Sequence, residues 1–244
     1  CLLAFTPLRA NFLYGQMHLL VLLLMVIAYV CYRKDKPTAC GASIALAAAL
    51  KVYPVFFAFY FLWKKQWRAL FGLLGVAALV ALLTSAWMGP ALLQQYISQE
   101  LPRSLQGEML DPYHWHAASM SALLHRLLLV EPALNPKPLF NSPGLYAVLY
   151  PLWQLAFLVP FFALIRTTRA SSERSDALEW AALTMALLVL SPVPSSYHFV
   201  VMILPIVLLV DVLRHKPRWV AIVVTLYGLI SATTLWIPSR PSPL

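Results

Sequence analysis

The sequence predicts an all-α, polytopic transmembrane helix bundle. Hydrophobic residues make up 61% of the 244 residues and charged residues only 11%, with a mean hydropathy of +0.75, whereas soluble domains are about half apolar and about a quarter charged. The net charge of +9 comes from 18 Lys and Arg residues, which cluster in short loops between apolar runs, as the basic cytoplasmic loops of membrane proteins do. The positive charge therefore indicates which loops face the cytoplasm, and no nucleic-acid partner is expected.

The first apolar stretches predict one span followed by a broken hairpin. A crossing needs about 20 apolar residues in a helix, which predicts a span over Phe12–Tyr32 that ends in a basic cytoplasmic cluster. The next stretch has basic clusters at both ends. This predicts two half-helices, Ala39–Leu50 and Val55–Trp63, that enter from the cytoplasm and return, with Pro54 supplying the break. The alternative is a single kinked crossing over Thr38–Trp63.

The rest of the chain predicts five further full spans, about six in all, within one domain of residues 1–244. A polar region, residues 89–142, is predicted to be extracytoplasmic, and its apolar segment Ser119–Val130 is too short to span and fits an interfacial helix. The further spans are Ala69–Met88, Gly144–Ile165, Ala177–Leu190, His198–Leu213 and Trp219–Ile237.

Lys51 is the most informative single residue. A lysine at membrane depth costs about 2.5–3.5 kcal/mol, so it needs a partner or a polar cavity. At a helix break, its ammonium and the free N–H groups of the second half-helix could bind an anionic lipid phosphate. The alternative is a side chain that snorkels to the interface. Arg126, on the short helix, could likewise bind a lipid phosphate or lie at the membrane surface.

The other candidates lie at the predicted outer ends of spans. Gln16, His18, Tyr197 and His198 could hydrogen-bond a sugar or a phosphate, or they could cap helices and anchor them at the interface, where Tyr and His are common. Asp111, in a loop with two imidazoles and two aromatic rings, is a weak candidate for a general base, or part of a loop packed on headgroups. The sequence lacks the third or fourth ligand that a metal site needs, so neither a metal nor a cofactor is expected.

Four stretches of the sequence form a recognisable set: 15–20 (GQMHLL), 45–54 (ALAAALKVYP), 119–126 (SMSALLHR) and 190–199 (LSPVPSSYHF). In their order, in their spacing and in their common predicted side of the membrane over residues 11–205, they resemble glycosyltransferase family 87, the polyprenol-phosphate-mannose-dependent mannosyltransferase-like proteins of the GT-C class. There are departures: His18 stands where the family has Asn, and the last motif has one residue more before its His and lacks the Trp.

The resemblance implies an enzyme that moves a hexose, mannose in this family, from a polyprenyl-phosphate donor to a glycan or glycolipid acceptor. The reaction would take place at the extracytoplasmic face of a bacterial plasma membrane. The resemblance also places the catalytic base upstream of Cys1, so that the chain is expected to be the C-terminal portion of a longer protein and need not be active alone. The substrate-binding residues implied are Gln16, His18, Lys51, Arg126, Tyr197 and His198.

Two other classes of protein remain open from the sequence. A transporter or flippase of a lipid-linked or anionic substrate would also use a broken helix and a buried lysine, but it should show two repeat-related halves, which the sequence does not. A non-catalytic membrane scaffold would not need polar groups clustered on one side.

Overall fold

The computed structural model describes residues 6–106, 112–113, 117, 119–167, 172–191 and 195–232. Every regular element within these residues is a helix, which confirms the predicted all-α class. The α-helices are α1 (Thr6–Leu13), α2 (His18–Arg33), α3 (Pro37–Leu50), α4 (Phe57–Trp63), α5 (Trp67–Met88), α6 (Pro90–Gln95), α7 (Leu101–Gln106), α8 (Met120–Leu128), α9 (Pro143–Thr167), α10 (Glu173–Leu190), α11 (Ile203–Leu213) and α12 (Pro217–Ala232). The 3-10 helices are Tyr53–Phe56 and Ser196–Met202, and Tyr96–Glu100 is a π-helical turn.

Among the described residues, two helices are long and apolar enough to cross a membrane, judged by length and composition alone. They are Trp67–Met88 and Pro143–Arg166, which correspond to the predicted spans Ala69–Met88 and Gly144–Ile165. The other apolar helices of the described residues have 10–17 residues, shorter than the roughly 20 that a straight crossing needs. The count of six full spans therefore stays a prediction.

The predicted first span is divided into two helices. The sequence predicted one continuous helix over Phe12–Tyr32, but residues 14–17 separate α1 from α2. Gly15 has a φ of +57°, a left-handed conformation that glycine adopts without a steric penalty. The N–H of Gln16 then donates to the Asn11 carbonyl oxygen at 2.8 Å, a pattern that closes a helix C-terminus. The break thus leaves a polar turn at the start of α2.

α3, the 3-10 helix Tyr53–Phe56 and α4 have the geometry of the predicted hairpin. α3 ends at Leu50, as predicted, and the backbone of the next residue, Lys51, is extended (φ −147°, ψ 128°). Pro54 lies in the first turn of the 3-10 helix, where its missing N–H costs nothing, so the chain direction changes at Lys51 and not at the proline itself. Pro37 and Trp67, at the two ends of the hairpin, line one cavity. The segment therefore returns to the end of the helix bundle at which it begins, and its re-entrant placement in a membrane stays a prediction.

Glycines allow α3 and α5 to pack backbone against backbone. A Cβ added to Gly41 would lie 1.8 Å from the Ala69 carbonyl oxygen, and one added to Gly72 would lie 2.3 Å from the Thr38 carbonyl oxygen. Small residues permit such close approach between membrane helices, where van der Waals packing replaces the hydrophobic effect as the driving force. At these two positions, the contact between α3 and α5 therefore leaves no room for a methyl group.

Gly72→Ala is expected to lower the free energy of unfolding by about 1–3 kcal/mol, because the new methyl group would collide with backbone atoms rather than with a side chain that can rotate away. Gly75→Ala is the matched control in the same helix, since a Cβ there meets no atom within 4 Å. That control is expected to raise stability by about 0.5–1 kcal/mol. Thermal unfolding of the intact protein in detergent micelles measures both, and equal effects of the two substitutions would contradict the packing argument.

α10 is joined to α2 and α4 by buried polar contacts. Glu179, which is 0% exposed, accepts hydrogen bonds from the Lys64 ammonium at 2.6 Å and from the Tyr60 hydroxyl at 2.7 Å. Arg33 donates to the buried Asp176 at 3.4 Å and also forms an ion pair with Glu173. These contacts hold the three helices together at one end of the bundle, around the buried Trp180 ring.

The short helix predicted within Ser119–Val130 is observed as α8, and its placement at the membrane interface stays a prediction. The Ser119 hydroxyl oxygen accepts the Ala122 N–H at 2.9 Å and so caps the helix start. α8 packs on α9, and Ala117, just before it, forms a β-bridge with Ser195. That bridge connects the third sequence motif to the fourth. The extracytoplasmic placement of residues 89–142 stays a prediction.

Candidate functional site

A polar site forms where the start of α2, the tip of the α3–α4 hairpin and the 3-10 helix Ser196–Met202 meet. α1 packs on that 3-10 helix, and the Asn11 side-chain amide donates to the Tyr197 carbonyl oxygen at 3.3 Å. Lys51 connects the tip of the hairpin to the start of α2, because its ammonium donates to the Gln16 side-chain oxygen at 3.4 Å. Three segments that are distant in the chain therefore contribute to one site.

The site contains a pair of imidazoles packed against a tyrosine. The rings of His18 and His198 meet edge to face, with centroids 4.2 Å apart and planes at 62°. The Tyr197 ring lies 5.3 Å from the His18 ring, and the Tyr14 ring lies 6.2 Å from that of Tyr197. Aromatic rings at these distances and tilts are in favourable contact, so ring packing helps to hold the imidazoles in position.

The two imidazoles differ in their hydrogen bonding. His198 Nδ1 is 3.0 Å from the Ser195 N–H, which donates to it, and 3.3 Å from the Ser195 carbonyl oxygen. Because the shorter contact makes Nδ1 an acceptor, we assign the proton of the neutral ring to Nε2. His18 is 0% exposed, and neither of its nitrogens has a hydrogen-bond partner among the described residues. Buried polar groups almost always have partners, so His18 is suited to bind a group that enters the site.

Lys51 supplies a positive charge whose partner is neutral. Its ammonium is half-buried and donates to the uncharged amide of Gln16. No carboxylate of the described part of the chain forms an ion pair with Lys51. A half-buried cation that is held by a neutral amide and lies near two imidazoles can bind an anion together with hydroxyl groups.

Most of the sequence-predicted site residues are brought together here. Arg126 lies on α8, which is connected to the site through the bridge between Ala117 and Ser195, and its role stays a prediction. Asp111 lies outside the described residues. No group of three or more His, Cys, Asp or Glu among the described residues could hold a metal ion. The predicted residues that meet in the site are Gln16, His18, Lys51, Tyr197 and His198.

The sequence reasoning missed Asn11 as a member of the site. This residue is 1% exposed, and its side-chain oxygen has no hydrogen-bond partner within the described structure. It is also the acceptor of the Gln16 N–H through its backbone. An amide side chain so close to Gly15 could have indicated a polar turn at this point. The sequence analysis predicted one continuous helix from Phe12 and therefore no turn.

Comparison with known proteins identifies the family. The model of glycosyltransferase family 87 matches residues 1–192. Two similar relatives are both named polyprenol-phosphate-mannose-dependent alpha-(1-2)-phosphatidylinositol mannoside mannosyltransferase. The relative from Mycolicibacterium smegmatis is 29% identical over 243 residues, which cover 95% of this chain and 50% of the relative. The relative from Mycobacterium tuberculosis is 27% identical over 227 residues, which cover 88% of this chain and 46% of the relative.

The chain spans about half the length of these curated relatives. No solved structure matches it. The family match covers all of the first three sequence motifs and reaches the start of the fourth, and it extends over well more than half of the chain. The chain belongs to glycosyltransferase family 87.

Proposed function

We propose that this chain forms part of a membrane mannosyltransferase that moves mannose from a polyprenyl-phosphate donor to a glycolipid acceptor at the extracytoplasmic face of a bacterial plasma membrane. The observation that carries the proposal is Lys51, a half-buried cation whose hydrogen-bond acceptor is the neutral amide of Gln16. An anionic phosphate would supply the missing counter-charge. The names of the two relatives, which specify a polyprenol-phosphate-mannose donor and a phosphatidylinositol mannoside acceptor, support the same substrate classes.

The proposed step is an inverting transfer. A carboxylate takes the proton of the acceptor hydroxyl as its oxygen attacks the anomeric carbon of mannose, and the bond from that carbon to the phosphate oxygen breaks. The phosphate leaves with one more negative charge than it has in the donor. Lys51 therefore interacts more strongly with the transition state than with the bound donor, which is the condition for catalysis. Arg126 is a second candidate cation for this role.

The imidazoles and amides would bind the sugar. The Nε2–H of His198 can donate to a hydroxyl, and the nitrogens of His18 can donate or accept. Asp111, which lies outside the described residues, is a candidate for the carboxylate base. A neutral sugar and an anionic phosphate would then lie side by side, one at the imidazoles and the other at Lys51.

A transfer assay with radiolabelled polyprenyl-phosphate mannose in membranes that contain the intact protein tests the proposal. Label that moves from the donor to a glycolipid fraction would support it. Movement of the donor between leaflets without transfer would indicate a flippase instead, and the absence of both would indicate a non-catalytic scaffold.

His18→Phe is expected to lower the rate of mannosyl transfer without lowering the stability of the protein. The substitution keeps an aromatic ring but removes both nitrogens, which have no partners in the described structure. The free energy of unfolding should not fall, since no hydrogen bond is lost and a buried unsatisfied group is removed. Mannosyl transfer should fall about tenfold, the effect of one lost hydrogen bond to substrate.

Tyr29→Phe, in the same helix, serves as the control for His18→Phe. It is expected to leave transfer unchanged, because Tyr29 packs on Trp180 at a distance from the imidazoles. A His18→Phe variant that lost stability in proportion to its activity would mean that His18 has only a packing role.

A further inference from the structure

A polar cavity lies at the opposite end of α2 from the imidazole site. Its volume is about 580 Å³, within the range of about 300–1,000 Å³ that small-molecule sites occupy. The turns that connect α2 to α3 and α4 to α5 form its walls, together with the first turn of α10. Because α2 has 16 residues, the cavity lies about 24 Å from the imidazole site along the helix axis.

The charged side chains that line this cavity leave two cations available. Five charged residues contribute to the lining: Arg33, Asp35, Lys65, Arg68 and Asp176. Arg33 forms ion pairs with Asp176 at 3.4 Å and with Glu173, which lies outside the lining. Lys65 and Arg68 are exposed and form no ion pair with the described residues. The three cations and two carboxylates of the lining therefore leave one net positive charge, and Lys65 and Arg68 are the cations available to a ligand.

The backbone adds to this positive character. α3 and α5 both begin at the cavity, at Pro37 and Trp67, and neither has a side-chain cap. The first N–H groups of a helix have no partner within the helix, and they and the helix dipole favour a nearby anion. Cationic side chains and uncapped helix starts thus favour the same kind of ligand.

The Gln66 amide in the cavity wall lacks a partner at one end. Its Nε2 donates to the Tyr32 hydroxyl at 3.1 Å, while its Oε1 is buried and has no partner among the residues described. If the amide were rotated, the NH₂ group would be the unpartnered end instead. In either orientation a ligand hydroxyl, which can both donate and accept, would satisfy the amide. The ligand should therefore carry a hydroxyl as well as an anionic group.

We propose that this cavity binds the headgroup of an anionic phospholipid, with the phosphate at Lys65 and Arg68 and a headgroup hydroxyl at Gln66. Trp67, which is 50% exposed at the rim, is the kind of residue that lies at the level of lipid headgroups. Basic cavities between membrane helices bind lipid phosphates in this way. The lipid would belong to the leaflet opposite the imidazole site, and the proposal does not depend on the proposed mannosyl transfer.

The test compares lipid retention by the intact protein in nanodiscs of phosphatidylcholine with and without phosphatidylglycerol. Native mass spectrometry after release from the nanodisc counts the phosphatidylglycerol that stays bound. Lys65→Gln/Arg68→Gln is expected to weaken this retention about twenty-five-fold, since each cation contributes about fivefold. Lys34→Gln/Lys36→Gln is the matched control, because it removes the same charge from the same end of the bundle but from exposed residues that do not line the cavity; it should leave retention unchanged.

Other outcomes would overturn the proposal. Equal losses in the two double variants would mean that general attraction to a negative surface, not the cavity, retains the lipid. Displacement of phosphatidylglycerol by inorganic phosphate would show a site for a soluble anion. If the cavity variant is not recovered folded, Gln66→Leu, which removes no charge, replaces it and should weaken retention about fivefold; unchanged retention would then contradict the assignment.

Discussion

A Lys51→Ala variant of the intact protein is expected to transfer mannose about a hundredfold more slowly than the wild type. Removing one preorganised group that stabilises developing charge costs a factor of about 10²–10³ in other enzymes. Lys51 is half-buried, and its hydrogen-bond acceptor is the neutral Gln16 amide, so its charge remains available for the leaving phosphate. Initial rates with radiolabelled polyprenyl-phosphate mannose, at several donor concentrations, measure kcat and kcat/KM separately.

Two further variants make the result specific to Lys51. Lys51→Arg keeps the charge and should retain part of the activity, whereas Lys34→Ala removes an exposed loop lysine and should have no effect. A fall in kcat is expected, because the charge on the phosphate grows during the reaction. Unchanged transfer and unchanged donor affinity in Lys51→Ala would show that the residue has no part in donor binding or in catalysis.

Lys64→Met is expected to destabilise the protein more than any other single substitution considered, by about 3–5 kcal/mol. Glu179 is 0% exposed and accepts from Lys64 at 2.6 Å, so removing the ammonium leaves an uncompensated charge in the interior. The double variant Lys64→Met/Glu179→Met should recover most of this loss, because a well-packed apolar pair can replace a buried ion pair. Reversible unfolding in detergent micelles, analysed as a double-mutant cycle, gives the coupling energy.

Lys36→Met provides the control for a surface lysine in the same region. Lys36 is exposed and should cost less than about 0.5 kcal/mol when replaced. If Lys64→Met cost no more than this control, the contact between Lys64 and Glu179 would contribute nothing measurable to stability.

The sequence predicted those elements that depend on local composition. The apolar run of α5 and the break before Pro54 were both visible, because helix length and proline chemistry act within a few residues. The division between α1 and α2 was missed, since it depends on a left-handed Gly15 inside a stretch that is apolar enough to continue. Periodicity alone does not reveal such a turn.

The sequence predicted only part of the polar contacts. The reason is different from the one for the missed turn at Gly15. The resemblance of four motifs selected Gln16, His18, Lys51, Tyr197 and His198, and these residues do meet. No local pattern predicts a contact across the 115 positions between Lys64 and Glu179, although a glutamate in an apolar run is unusual enough to suggest a partner. Contacts of this kind are determined by how the helices pack.

The close approach of α3 to α5 also fixes where Lys51 stands. The contacts at Gly41 and Gly72 involve carbonyl groups of the opposing helix, so α3 cannot slide along α5 without driving one main chain into the other. α3 has 14 residues and therefore acts as a rigid spacer of about 21 Å. The height of the ammonium above the base of the hairpin is set by this spacer, which means that residues around the tip can change during evolution without moving the charge.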